Sequence, residues 1–159
     1  MFTREPLGHS RVPLRLTDRP PPPFHASTTR RRRRRVGLLG GSFNPAHGGH
    51  RRISLFAIDA LGLDEVWWLV SPGNPLKPKE GMAPLAARYA SAVAQARRAP
   101  IRVTAIEREL GTRYTVDTIA ALQNRFSAHE FVWLMGSDNL VTFHKWRAWR
   151  RIVSSVPIA

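Results

Sequence analysis

Short unbroken apolar runs recur along the chain, at 36–39 (VGLL), 65–70 (EVWWLV), 101–106 (IRVTAI) and 129–135 (HEFVWLM). Runs of this length with little alternation read as strands buried on both faces. Between them the apolar spacing changes to that of a helix. Residues 49–61 place Ile53, Phe56, Ala57 and Ala60 on one face, and Gly62 marks the stop. Residues 84–98 are Ala-rich, with Pro84 in the first turn. Residues 115–125 follow with Thr115 as N-cap. Residues 139–152 (NLVTFHKWRAWRRI) read as one more helix, and 153–159 begins another apolar stretch. Strands alternating with helices predict an α/β domain of Rossmann-like type: a doubly wound parallel sheet, helices on both faces, right-handed crossovers. Ligands of such sheets bind beyond the carboxyl ends of the strands. The loops 40–50, 71–77, 107–115 and 136–138 all fall on that edge.

The first 35 residues keep neither rhythm. They hold ten arginines against Glu5 and Asp18, a net +8, and six of the thirteen prolines. The run 30–35 is six arginines in a row, and such a block repels itself. Pro20 to Pro23 favour an extended polyproline conformation. The 159 residues therefore divide into a disordered tail, 1–35, and a domain, 36–159, that carries the remaining +6 of the total +14. The tail also admits a reading as a nucleic-acid-binding or organelle-targeting segment. No aromatics alternate with its arginines to stack bases, so nucleic acid is not the expected partner, and an extension without function is the plainer reading. The absence of cysteine excludes a disulfide scaffold, a thiolate zinc site and a cysteine nucleophile. No apolar run approaches the roughly 20 residues that span a bilayer. A cytoplasmic protein without membrane contact is the expectation.

The most specific stretch is LGGSFNPAHGGH, 39–50. Gly40 and Gly41 permit close approach of a ligand and positive φ. The loop feeds a helix N-terminus, where free N–H groups and the helix dipole favour an anion. His47 and His50, three apart at that helix start, can face one point. Imidazole donors near bound phosphate suit a transition state whose charge grows on non-bridging oxygens. The spacing is neither a Walker loop nor a dinucleotide fingerprint. Two histidines without a nearby cysteine or acid are too few for zinc, and no metal site of the protein's own is expected.

GGSFNPAHGGH resembles the signature of the HxGH nucleotidyltransferase superfamily. Four further stretches are similar to one branch of it, the bacterial nicotinate-nucleotide adenylyltransferases: SPGNPLK (71–77), IERELGTRYTVDT (106–118), LMGSDNL (134–140) and FHKWRAWRRI (143–152). Arg113 stands where that family usually has Ser. The resemblance implies transfer of AMP from ATP to nicotinate mononucleotide, with release of pyrophosphate and with Mg2+ accompanying ATP. It implies His47 and His50 on the ATP phosphates as the catalytic pair. Gly40, Gly41, Ser42 and Phe43 would line the nucleotide pocket. Asn74, Lys77 and Asp138 would contact the mononucleotide, Tyr114 and Thr115 its carboxylate, and Trp146 its pyridine ring. Of the other aromatics, one of Trp67 and Trp68 should be core, and His129 and His144 should lie at the surface. Within the same class the alternative acceptors are nicotinamide mononucleotide and phosphopantetheine. The family also continues into another strand and a Ser-x-Thr-x-x-Arg phosphate motif. Nothing similar occurs up to Ala159, so a C-terminal truncation is expected.

Overall fold

The computed structural model describes residues 32–73 and 81–159. Its centre is β2 (Glu65–Val70), every residue of which is buried. β2 lies between β1 (Arg34–Gly41) and β3 (Ile101–Thr104), and β1 in turn pairs with β4 (His129–Leu134). All pairings are parallel and the order is β3-β2-β1-β4. Leu38 stands between Trp67 and Trp133, and Leu39 between Trp68 and Leu134. Alternate residues thus enter opposite layers. Trp67 packs with Leu38, Leu69, Trp133, Ile119 and Leu122. Trp68 packs with Leu39, Val66, Ala57, Ala92 and Leu134. Both tryptophans are therefore core, at 2% and 0% exposure, because the sheet is covered on both sides. Each indole finds a partner: Trp67 Nε1 donates to Glu65 Oε1 at 2.7 Å and Trp68 Nε1 to Ser54 Oγ at 2.8 Å.

One layer is built by α1 (Gly48–Leu61) and α2 (Leu85–Ala96). The other is built by α4 (Thr115–Arg125) and α6 (Trp149–Ser155), with α3 (Ile106–Leu110) and α5 (Ser137–Thr142) as short connectors. The chain winds outward through β2 and β3, then crosses back to β4 on the other side of β1. The winding reverses between β1 and β4, and an open sheet of this kind binds its ligand there. Among the described residues no helix is long and apolar enough to cross a membrane.

Four local outcomes differ from the pattern along the chain. β1 begins at Arg34, two residues ahead of the apolar run, so the arginine block does not end outside the sheet. Arg35 N–H donates to Asp64 Oδ2 at 2.7 Å, its guanidinium donates to Leu61 O at 2.6 Å at the end of α1, and Arg34 pairs with Glu65 at 3.6 Å. Second, the helix over 139–152 is broken. After α5, a 3₁₀ turn (Phe143–Lys145) leads to an extended Trp146 and a left-handed Ala148 at φ 51°. The break lets Phe143, Trp146 and Trp149 pack edge-on, with Trp146 also against Trp133. Third, Thr115 opens α4 instead of capping it; Tyr114 holds the cap position. Fourth, His129 is half-buried among Trp67, Phe126 and Phe131, while His144 is exposed. Gly62 does terminate α1, in the left-handed conformation at φ 60°. Of the last apolar stretch, 153–155 completes α6, and Ile158 bridges to Trp133 on the outer edge of β4.

Candidate active site

Two cavities open at the carboxyl ends of β1 and β4, and they share Gly40, Gly41, Ser42 and Asn139. The first, about 420 Å3, is walled by His47, His50, Ile53, Gly136 and Asp138. The second, about 300 Å3, is walled by Glu107, Arg113, Tyr114, Thr115, Trp133 and Trp146, with Lys145 and Arg147.

The histidine cavity is shaped by the turn into α1. His47 is the N-cap residue, with extended backbone. Its Nδ1 accepts from Gly49 N–H at 3.2 Å, and His50 Nδ1 accepts from His47 N–H at 3.2 Å. Two histidines thus form the reciprocal cap more often built by Ser and Glu. An accepting Nδ1 carries no proton, so each neutral ring has its hydrogen on Nε2. The rings lie 4.0 Å apart at 46°. Burial, and next the neighbouring His47, hold the His50 imidazole below its ordinary value of 6.5. The neutral Nε2–H donor therefore persists on the acid side of that value.

The glycine pair works differently from its sequence reading. Gly40 and Gly41 continue β1, and the positive φ falls on Phe43, at 47°. Gly40 is required for close packing instead: a Cβ there would sit 2.8 Å from the Trp133 ring. Phe43 is 1% exposed and stacks on Trp68 at 5.1 Å, with His50 tilted against it at 4.8 Å. Its side chain is core, although the residue contributes to the cavity wall. Asn44 and Ala46 tether the loop to α2 and its approach, through Gly81, Ala83 and Ser91.

In the second cavity, Trp146 and Tyr114 supply aromatic surface, and the Arg147 guanidinium lies 4.6 Å from the Tyr114 ring centroid. Trp133 is 3% exposed, and its Nε1–H has no partner among the described residues. Glu107 accepts from Thr118 Oγ1 at 3.3 Å, and Thr118 in turn sits 2.9 Å from Thr112 Oγ1 and donates to Tyr114 O at 3.2 Å. This network fixes the loop that carries Arg113, Tyr114 and Thr115. Burial pushes the Glu107 carboxyl above its ordinary value of 4.5, against hydrogen bonds from Thr118 and Ser71. A raised folded-state value means the folded chain holds this proton more tightly than the unfolded one. The associated stability is present below pH 4.5 and is lost as pH rises through the folded value. Glu107→Gln, which can still accept from Thr118, should flatten the pH dependence of the melting temperature across that window. It should melt no lower than the parent at neutral pH; a lower melting point there would contradict this account.

Of the expected site residues, Gly40, Gly41, Ser42, Phe43, His47 and His50 gather at the first cavity, and Tyr114, Thr115 and Trp146 at the second. Asp138 lines the histidine cavity and not the one walled by Tyr114, Thr115 and Trp146. α5 starts after Gly136 and sets it in the histidine cavity, where its charge acts on His50. Asn74 and Lys77 lie outside the described residues. Sequence reasoning missed Glu107, Trp133, Lys145 and Arg147. Glu107 and Arg147 sit inside the motif stretches and were open to notice; Trp133 looks like any strand residue.

A doubly wound sheet with paired imidazoles on one side of its switch point and an aromatic, cationic wall on the other defines a two-compartment cleft. The chain belongs to the cytidylyltransferase-like family, whose model matches residues 38–159. It is 74% identical over 125 residues to the "probable nicotinate-nucleotide adenylyltransferase" of Erythrobacter litoralis, and 60% identical over 125 residues to the protein of that name from Parvibaculum lavamentivorans. The matches cover 79% of this chain, 57% of the first relative and 62% of the second. The chain thus spans about three fifths of the length of these curated relatives. Among solved structures, it shares its fold with Plasmodium falciparum nicotinic acid mononucleotide adenylyltransferase complexed with NaAD. The TM-score is 0.66 and the identity 16%, over 76% of this chain and 60% of that one.

Proposed function

We propose that this cleft transfers AMP from ATP to nicotinate mononucleotide, giving nicotinate adenine dinucleotide and pyrophosphate in NAD biosynthesis. The carrying observation is the pair of cavities that meet on one backbone strip, Gly40–Ser42. A transfer between two nucleotides needs two compartments and one shared reacting point. ATP takes the histidine compartment, with its adenylyl group over the strip. An oxygen of the acceptor's phosphate attacks the α-phosphorus; that P–O bond forms as the bond to the β-phosphate oxygen breaks, and pyrophosphate leaves. The Nε2–H groups of His47 and His50 donate to phosphate oxygens as charge builds on them. No nucleophilic side chain is required, only position and charge.

The second compartment suits a planar acid. Trp146 offers a stacking face, with Tyr114 and Thr115 beside it. Arg113, Lys145 and Arg147 oppose a single carboxyl, Glu107, which burial holds toward its neutral form. That balance favours the acid over the amide mononucleotide. Mg2+ would enter with ATP. Among the described residues no group of three His, Asp or Glu converges to cage a metal. Asp138 is the carboxylate in the histidine compartment, which fits an ion held mainly by substrate phosphates. Bound there, Mg2+ would neutralise phosphate charge. The same reading makes the protein cytoplasmic and ends the tail short of Arg34, where β1 begins. Arg34 and Arg35 lie at the opposite end of β1 from the cleft, about 23 Å of strand away, so their charge does not serve it.

The test compares turnover of the acid and amide mononucleotides with ATP. The acid should be preferred, and Trp146→Ala should raise its KM about 10- to 100-fold with little change in the KM for ATP. Equal or better use of the amide would refute the assignment.

A further inference from the structure

Arg88, in the first turns of α2, is 2% exposed. Its Nε donates to Ala83 O at 2.9 Å, Nη1 to Ser42 O at 2.7 Å and Ser71 O at 2.8 Å, and Nη2 to Pro72 O at 3.5 Å. Among the described residues every acceptor is a backbone carbonyl, and the ion pairs do not include Arg88. A positive charge is thus buried against the strip shared by the two cavities, and among the described residues its compensation is dipolar. Burying a cation without a counter-ion is costly, which makes such a charge unusual unless an anion arrives.

The contact to Ser42 has a directional consequence. The Ser42–Phe43 peptide is planar, so its N–H points opposite to its C=O. With the carbonyl turned down onto Arg88, the Phe43 N–H is turned away from it. Ser71 N–H meanwhile donates to Gly41 O at 3.0 Å, which ties the ends of β1 and β2 together above the guanidinium. Arg88 closes this ring from Ser42 to Ser71.

We propose that Arg88 is a positioning residue for the polyphosphate. It fixes the Ser42–Phe43 peptide with its N–H toward the phosphate oxygens, and it sets a positive charge one peptide behind them. This deepens the adenylyl-transfer reading and rests on ATP occupying the histidine compartment. Lysine cannot reproduce it, because an ammonium lacks the planar fork that spans Ala83, Ser42 and Ser71 together.

The experiment uses the whole chain and its Arg88→Met and Arg88→Lys variants. Binding of Mg·ATP and of inorganic tripolyphosphate is measured by calorimetry, transfer kinetics alongside, and folding by circular dichroism. Ala92→Gly, on the same helix but away from the loop, controls for lost stability. Both Arg88 variants should bind ATP and tripolyphosphate about 10- to 100-fold more weakly, while the Ala92→Gly control binds as the parent does. If Arg88→Met does not fold, Arg88→Lys decides alone. Binding within about twofold of the parent by a folded Arg88 variant overturns the proposal. So does an equal loss in the control, since the effect would then be one of stability. A parent that binds both ligands yet adenylylates neither mononucleotide overturns the acceptor assignment and leaves the role of Arg88 standing. Normal transfer by both variants does the reverse.

Discussion

His50→Asn should lower the kcat of adenylyl transfer about 10²- to 10³-fold, while the chain stays folded. The asparagine side chain places a polar atom where Nδ1 now accepts from His47 N–H, so the reciprocal cap at the start of α1 can survive. What it cannot supply is the Nε2–H on the far side of the ring. The substitution therefore separates the capping role of His50 from the phosphate-facing role proposed for it. His50→Gln reaches farther and should recover part of the rate. The pH profile adds a second check. Because burial and His47 lower the His50 value, the parent's rate should not begin to fall at 6.5 through this group, but only below it. The melting temperature should also decline with acid in that same region, since the unfolded chain takes up a proton there that the folded chain resists. A rate unchanged by His50→Asn would remove the histidine from the mechanism.

Trp68→Ala should cost about 3–5 kcal/mol in urea denaturation, the largest loss of stability expected at any single position near the cleft. The indole is fully buried in the middle strand. It carries Phe43 on its face and meets His50 edge-on at 5.9 Å. Its Nε1–H also satisfies Ser54 on α1. Trp68→Phe keeps a ring and gives up that hydrogen bond, for about 1 kcal/mol. The two losses should rank in that order. A Trp68→Ala cost below about 1 kcal/mol would mean that the layer under the histidines can collapse to fill the void.

The parts of this molecule legible in the sequence are those whose cause is local. Residues 65–70 and 115–125 formed their elements at the predicted bounds, because an uninterrupted apolar run and an amphipathic repeat each specify one solution. The histidine loop was legible for the same reason, since both capping rings lie within four residues of each other. What remained hidden depends on partners far along the chain. Ala148 adopts a left-handed backbone with no glycine, proline or asparagine to announce it, because three aromatic side chains are satisfied only if the helix breaks there. The short α3 takes the last residue of the predicted strand and most of the first half of the predicted loop 107–115, and only Gly111, left-handed at φ 63°, hinted at a helix end. Arg88 reaches a carbonyl 46 residues upstream, which no window of sequence displays. That Asp138 lines the histidine cavity was equally hidden, because its placement depends on where α5 starts after Gly136.

The three residues from Gly40 to Ser42 floor both compartments, and they are clamped from below. A common floor makes the two occupants thermodynamically answerable to each other. Whatever adjustment of those peptides the first molecule demands has already been made when the second arrives, and the gain is the same whichever comes first. The affinity of ATP measured with the mononucleotide present should therefore differ from its affinity alone by the same factor that ATP imposes on the mononucleotide. In this cleft, order of addition is a matter of kinetics, and the energy of being together belongs to the pair.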